Sequence, residues 1–402
     1  MRGEFVPLTV PGHPAALSRQ GRVAQHVSAF LPHPLHGLTL SLSGAQAADL
    51  SDAEAALAKL RQTARATPAL EAAAWRLLRA EAVASSQIEA VDITHRRLAR
   101  AEAGGEGRRH ERAAEALANV RAMQLAIEGA QSPLLVDDIR SYHDSLLATS
   151  PHPIDVELAG RFRDRAVWIG GTTAASADYV APPHDEVPRL VDDLVRFINE
   201  RQDLSAVALA AIAHAQFETI HPFHDGNGRV GRCLVHAVLR IHGGTGPAIA
   251  PVSLVLKADT PSYIDGLVHF RNGDVEGWTA RFAVAVTMAC TAALDLANGI
   301  VELRDQWASR IARARQDAER RAPRRNSTAM RLLDVLAASP VISVPAIAAQ
   351  LGVSNEAANN AVAELEGLGI IKQVSIGRRN RVHEAHEVFA LLTRVESSIG
   401  AA

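Results

Sequence analysis

The chain has 402 residues, 48% hydrophobic and 21% charged, a globular composition that excludes a disordered or low-complexity chain. Lys+Arg 42 against Asp+Glu 44 leaves a net charge of −2, which excludes a surface built wholly as a basic nucleic-acid trap. The two cysteines, Cys233 and Cys290, sit in no metal or redox spacing, so a disulfide scaffold and a cysteine-ligated zinc site are excluded and a reducing compartment is the default.

The first seventeen residues carry three prolines and no long apolar run, so they do not read as a signal peptide. Abundant alanine, few β-branched runs and 4% aromatics predict a mostly α protein. Helical spacing appears over residues 52–66 and 68–88. A charged, glycine-containing break over 103–109 precedes a helix over 111–127, and Ser132-Pro133 precedes another over 136–148. Arg161-Phe162-Arg163 and Val167-Trp168-Ile169 read as two strand-like pieces of a β-hairpin, with Gly170-Gly171 as a turn. Pro182-Pro183 ends it, and helices follow over 186–200, 205–219 and 228–241, with two more across 262–314. The most apolar late stretch, 282–294, is too short for a bilayer-crossing helix of about 20 residues. The expectation is a cytoplasmic chain with no membrane partner.

Residues 320–325 are basic, contain Pro323 and read as a linker. Beyond them come helices over 328–338, 344–351 and 355–368, with Ser354 as an N-cap, then strands over 370–374 and 381–383 framing a turn at Gly377. This is the order of a winged helix-turn-helix domain. The expected organisation is an N-terminal helical region (1–110), a catalytic core (111–318) and the winged helix (326–395).

One string stands out: His221-Pro222-Phe223-His224-Asp225-Gly226-Asn227-Gly228-Arg229-Val230-Gly231-Arg232. Gly226 and Gly228 let a ligand approach the backbone closely. A helix begins there, so free N–H groups and the positive dipole end converge on an anion. Arg229 and Arg232 share a helix face, and two guanidinium forks suit a polyphosphate. Asp225 offers a hard oxygen for Mg²⁺, and His221 a base working near neutral pH. His214, His224 and His236 read as structural or loop residues.

The string matches the Fic motif, His-Pro-Phe-x-Asp/Glu-Gly-Asn-Gly-Arg-x-x-Arg, at every specified position, so the chain resembles the Fic family over about residues 30 to 310. Family members transfer AMP from ATP to a protein hydroxyl and release pyrophosphate. The resemblance implies His221 as general base toward Ser, Thr or Tyr, and Asp225 as Mg²⁺ ligand. It implies Gly226, Asn227 and Gly228 on the α- and β-phosphates, Arg229 on the β-phosphate, Arg232 on the γ-phosphate, and Phe223 as the loop's anchor. The Doc branch, which transfers phosphate, has a lysine where this chain has Gly228. The segment holding Val167, Trp168, Ile169 and Gly170 resembles the family flap, which docks a target peptide by strand addition. Tyr263 falls in the adenine-pocket region, where a tyrosine pair is common and Ile264 replaces the second.

Ser85-Ser86-Gln87-Ile88-Glu89-Ala90 resembles the family's inhibitory motif, placed ahead of the core. It implies that Glu89 pairs with Arg232 in place of the ATP γ-phosphate. Ala90 stands where glycine or asparagine would ease a left-handed turn, so the helix is expected to end differently or hold less tightly. The implied activity is an ATP- and Mg²⁺-dependent protein adenylyltransferase acting on another protein or itself. Removal of AMP, transfer of UMP, and a DNA-binding regulator using the core as nucleotide sensor are the alternatives. A homodimer is left open. For the winged helix, the third helix carries Glu356, Glu364 and Glu366 and no Lys or Arg, which favours a protein contact over DNA, with Arg378, Arg379 and Arg381 in the wing.

Overall fold

The computed structural model describes residues 2–12, 20–66, 68–104, 111–244, 249–374 and 381–400. The chain opens on an antiparallel hairpin, β1 (Gly3–Val10) and β2 (Gln25–Pro32), registered from Gly3 opposite Pro32 to Val10 opposite Gln25. This corrects the reading of residues 1–110 as helical. In β1 the part-buried or buried Val6, Leu8 and Val10 alternate with exposed Phe5, Pro7 and Thr9, a period of two. Pro7 is tolerated because, among the described residues, β1 pairs on one side only, with β2.

Helices α1 (Gly44–Ala66), α2 (Pro68–Ile88), α3 (His95–Glu102), α4 (Glu111–Glu128), α5 (Val136–Leu147) and α6 (Pro153–Leu158) follow. Residues 105–109 of the expected break lie outside the described residues. The hairpin expected here is β3 (Trp168–Ile169) against β4 (Tyr179–Val180), with Trp168 opposite Val180 and Ile169 opposite Tyr179. Arg161, Phe162 and Arg163 form no strand, contrary to expectation. Gly170 (φ 73°) and Gly171 (φ 64°) open a loop back to Asp178, whose amide donates to the Ile169 carbonyl at 3.0 Å, instead of making a two-residue turn.

Then come α7 (Val187–Glu200), α8 (Ala206–Ile220), α9 (Asn227–Gly243), α10 (Val252–Ala258), α11 (Thr260–Asn272) and α12 (Val275–Asp317). The apolar stretch 282–294 is part of α12. That helix has 43 residues, and its apolar window has a mean hydropathy of 1.6, so it is long and apolar enough to cross a membrane by length and composition alone. This corrects the reading from the short stretch. Half of that window is buried inside the protein, as in a core helix. The C-terminal elements are α13 (Thr328–Ala338), β5 (Val341–Ser343), α14 (Val344–Leu351), α15 (Asn355–Gly367), β6 (Lys372–Gln373), β7 (Val382–Glu384) and α16 (His386–Gly400). The sheet runs β5-β7-β6, all antiparallel. Its first strand was not expected, Ser354 caps α15 as expected, and Gly377, Arg378 and Arg379 lie outside the described residues.

Contacts divide the chain into two compact units. The first comprises Met1–Ala55, Arg121–Gly244 and Asp259–Thr287. At its centre α8 is buried along every residue. Gly231 lets α9 approach closely: a Cβ added there would clash with Glu218 Oε1 and sit 3.1 Å from Phe217 Cδ1. Buried Trp278 donates from Nε1 to the Ala211 carbonyl at 2.8 Å, tying α12 to α8 while satisfying its one polar atom.

The second unit comprises Ala56–Val120, Thr245–Ala258 and Met288–Ala402. Trp307, Ile311, Leu332, Leu336, Ile347, Leu365 and Ile370 belong to one apolar cluster there. Helix α2 packs against α10 and α13. Polar ties fix the C-terminal elements: Arg315 meets Glu364 through two bonds of 2.7 and 2.8 Å, and Arg100 meets buried Glu384 at 2.7 Å.

Candidate active site

The loop between α8 and α9 begins at His221, the C-cap of α8, in a left-handed conformation (φ 51°, ψ 60°). For a non-glycine residue that conformation costs about 1 kcal/mol, so the surroundings must impose it. Arg163 does so from below. Its Nε donates to the His221 carbonyl at 2.8 Å and its Nη2 to the Pro182 carbonyl at 2.7 Å, with a longer bond to Ile220. Its own amide donates to the Pro222 carbonyl at 2.9 Å. Arg163 is buried, and desolvation lowers its pKa to about 10, which leaves it charged at neutral pH. These inward bonds are why residues 161–163 form no strand.

The His221 ring places Nδ1 3.3 Å from the Glu218 carbonyl oxygen. A carbonyl only accepts, so Nδ1 carries the proton and the lone pair is on Nε2. The ring is partly exposed, with 19% of its side-chain surface accessible. Phe223 is fully buried and stacks on His143 with centroids 3.9 Å apart. It anchors the loop, as expected.

Gly226 opens α9 at φ 73°, and a Cβ there would meet Leu146 Cδ2 at 2.8 Å, so both conformation and space demand glycine. The Val230 amide bonds back to the Gly226 carbonyl at 3.0 Å, so the amides of Asn227, Gly228 and Arg229 are the orphan donors of the helix start. These are the amides that the sequence reading aims at an anion. Arg229 and Arg232 are both buried, and Arg229 Nη2 lies 3.3 Å from Asp225 Oδ2. Asn227 differs from expectation. Its side-chain oxygen accepts from the Phe223 amide at 2.8 Å, and its nitrogen donates to the Phe223 carbonyl at 2.9 Å. The amide expected on phosphate closes the loop instead.

The Asp225 carboxylate is 68% exposed. Among the described residues no three His, Cys, Asp or Glu side chains gather as a metal site. One carboxylate beside an anion nest fits Mg²⁺ arriving with phosphate oxygens and water, the way Mg²⁺ is usually held.

Tyr263 is buried in an aromatic cluster with His214 and Trp278, and its hydroxyl lies 2.8 Å from His214 Nε2. Burial, then the charge of Arg232, lowers the His214 pKa to about 3, so that ring is neutral. Ile264 is exposed. In the flap, Ile169 and Gly170 are exposed, and among the described residues β3 pairs only with β4, leaving its other edge without a strand. Val167 extends the hairpin by accepting from the Ala181 amide at 3.1 Å. His224 bridges to Asp164 at 3.1 Å, a loop role as expected.

Two supporting residues escaped the sequence reading. His143 accepts at Nδ1 from the Gly160 amide at 3.0 Å, so its Nε2 carries the proton and donates to the Asp225 carbonyl at 3.1 Å. Arg163 was visible only as part of an assumed strand.

Residues 133–239 match the Fic/DOC family and residues 47–128 the Fic/DOC family N-terminal region. The chain carries a Fic domain. It is 34% identical over 119 residues to protein adenylyltransferase fic-1 of Caenorhabditis elegans, covering 29% of this chain and 21% of that protein. It is 27% identical over 156 residues to protein adenylyltransferase Fic of Nematostella vectensis, covering 38% and 32%. The chain thus spans about a fifth to a third of the length of these relatives. A Fic family protein from Desulfovibrio desulfuricans shares the fold, with a TM-score of 0.54 at 20% identity over 86% of this chain and 97% of that one.

In the second unit, Ser85 is buried near the end of α2 and Glu89 is exposed. Ala90 takes φ 60°. The Val91 amide donates to the Ser86 carbonyl and the Ala90 amide to the Gln87 carbonyl, both at 3.0 Å, the two closing bonds of a left-handed helix cap. The helix does not end differently: alanine keeps the left-handed turn. Asn119 Nδ2 donates to the Ala82 carbonyl at 2.9 Å and Ser86 Oγ at 3.0 Å, and Gln87 Nε2 to the Ile93 carbonyl at 2.6 Å.

Proposed function

We propose that this chain is a protein adenylyltransferase that moves AMP from ATP to a Ser, Thr or Tyr hydroxyl of a target protein or of itself, restrained by Glu89. The observation that carries the reading is the join of α8 to α9: a histidine with its lone pair on Nε2 caps α8, and the orphan amides and two buried guanidinium groups follow in the first turns of α9. Its similarity to relatives named protein adenylyltransferase supports the same reading.

The target hydroxyl attacks the α-phosphorus while His221 Nε2 takes its proton. The new O–P bond forms as the bond from the α-phosphorus to the bridging oxygen breaks, and pyrophosphate leaves. The Gly228 and Arg229 amides, Arg229 and Arg232 hold the phosphates in place, so the attack is effectively intramolecular. Asp225 would hold Mg²⁺, which supplies charge neutralisation on the phosphates. The β3 edge aligns the target backbone. Tyr263 acts from behind, through His214, on the wall of the nucleotide site. In this reading Glu89 competes with the γ-phosphate for Arg232, and residues 326–395 act as a winged helix that contacts protein.

The test is label transfer from ATP labelled at its α-phosphate, with Mg²⁺, comparing wild type, Glu89→Gly, and Glu89→Gly with His221→Ala. Strong label from Glu89→Gly and none from the double variant is the expected result. A Glu89→Gly protein no faster than wild type removes the brake. Silence in every lane, with label from UTP and γ-labelled ATP also absent, removes AMP transfer in favour of AMP removal or nucleotide sensing.

A further inference from the structure

The second unit contains a cleft with no part in the proposed chemistry. It lies between α12, the linker and α13, with a volume of about 670 Å³. That lies within the roughly 300–1,000 Å³ of small-ligand sites. Its floor is apolar: Ile300 and Val301 of α12, Pro323, and Met330 and Ala337 of α13. Its rim is cationic. Arg304, Arg325 and Arg331 line it against one carboxylate, Asp334.

These arginines differ in how they are held. Arg304 Nε is 2.6 Å from Asp334 Oδ1, an ion pair joining the two helix walls. Arg331 Nη2 donates to the Leu351 carbonyl at 2.6 Å, which orients its fork. Arg325 is exposed and makes no hydrogen bond or ion pair among the described residues. Two guanidinium groups are therefore already oriented and one is uncommitted, with net positive charge above an apolar floor. An anionic group entering here meets donors in fork geometry, and an apolar body below it displaces water from the floor.

We infer that this cleft binds a small organic anion, a carboxylate, sulfonate or phosphate carried on an apolar body. Helix α13 also packs against α2, the helix that ends before Glu89. A ligand that shifts α13 thus reaches the restraining segment. That last step rests on the reading of Glu89 as the brake, whereas the binding does not.

The test uses the full chain and a fluorescent probe, anilinonaphthalene sulfonate, with neutral N-phenylnaphthylamine as its uncharged counterpart. The folded protein is expected to bind one sulfonate probe saturably. Arg325→Glu, which alters no core contact, is expected to weaken it about tenfold, the loss of one charge-assisted contact. Val301→Trp, which fills the floor from α12, is expected to abolish it, with the melting temperature checked for both variants. Absence of saturable binding, equal affinity in both variants and wild type, or equal affinity for the neutral probe would overturn the inference. None of these readouts depends on AMP transfer.

Discussion

His143 is wedged between partners of fixed sense, the Gly160 amide on Nδ1 and the Asp225 carbonyl on Nε2, with its face on Phe223. A second proton would have to displace the Gly160 N–H, and burial adds to the cost. Desolvation is the larger cause and lowers its pKa to about 4 from an ordinary 6.5. The unfolded chain takes up this proton below pH 6.5, whereas the folded chain resists until about pH 4. Stability is therefore fully present above pH 6.5 and is lost as the pH falls toward 4, by on the order of 3 kcal/mol from this residue. Urea melts of wild type and His143→Gln at pH 7.5, 5.5 and about 4.5 check this. The variant is expected to start less stable and to lose less on acidification; identical slopes would assign the loss to other groups. Sequence could not reveal this residue. The residues of the 221–232 loop were legible because each type answers one chemical demand at fixed spacing. His143 is joined to that loop only by the fold, as is Arg163. Asn227 lay in the motif, yet its side chain spends both polar atoms on Phe223.

At the scale of elements, the end of α2 sets an alanine in a place suited to glycine. Its φ of 60° crowds Cβ against the backbone, while the two closing bonds, Asn119 and Gln87 keep the turn in place. Ala90→Gly relieves that crowding and gives back part of the gain through a freer unfolded chain, a net stabilisation of about 0.5–1 kcal/mol. A denaturant midpoint unchanged or lowered in Ala90→Gly would mean the turn is not strained. The long helices were legible from alanine content and 3.6-residue spacing, and the observed α2, α4, α7, α8 and α9 lie within one or two residues of the sequence reading. Short strands were legible only in part: β3, β6 and β7 coincide with strand pieces read from the sequence, whereas β4, two residues that find their partner across a loop, and β5, three residues, are too short for a period and were not read. The β1–β2 hairpin was hidden by its prolines, which an edge strand accommodates.

At the scale of the whole molecule, a net charge of −2 gives no general attraction to nucleic acid, so any DNA binding must come from a local cluster of cations, and the C-terminal elements are where the sequence order suggests looking. There the exposed positions of α15 include Asn355, Glu356, Asn359, Asn360 and Glu366. Glu364 is held by Arg315 of α12, so that cation is spent on the protein itself. Two carboxylates on the face that would enter a groove repel phosphate, and exposed Lys372 and Arg381 beside it offer backbone contacts only. Helix order is what the winged-helix expectation for this region rests on, but order does not distinguish DNA from protein as partner; the charges on the exposed face bear on that choice. Titration of the full chain against random duplex DNA is therefore expected to give no retarded band at about 150 mM salt, where a few phosphate contacts are largely screened. A sharp complex at that salt that weakens steeply as salt rises would mean that several cations act together on phosphate, and would overturn the proposed protein contact in favour of DNA binding.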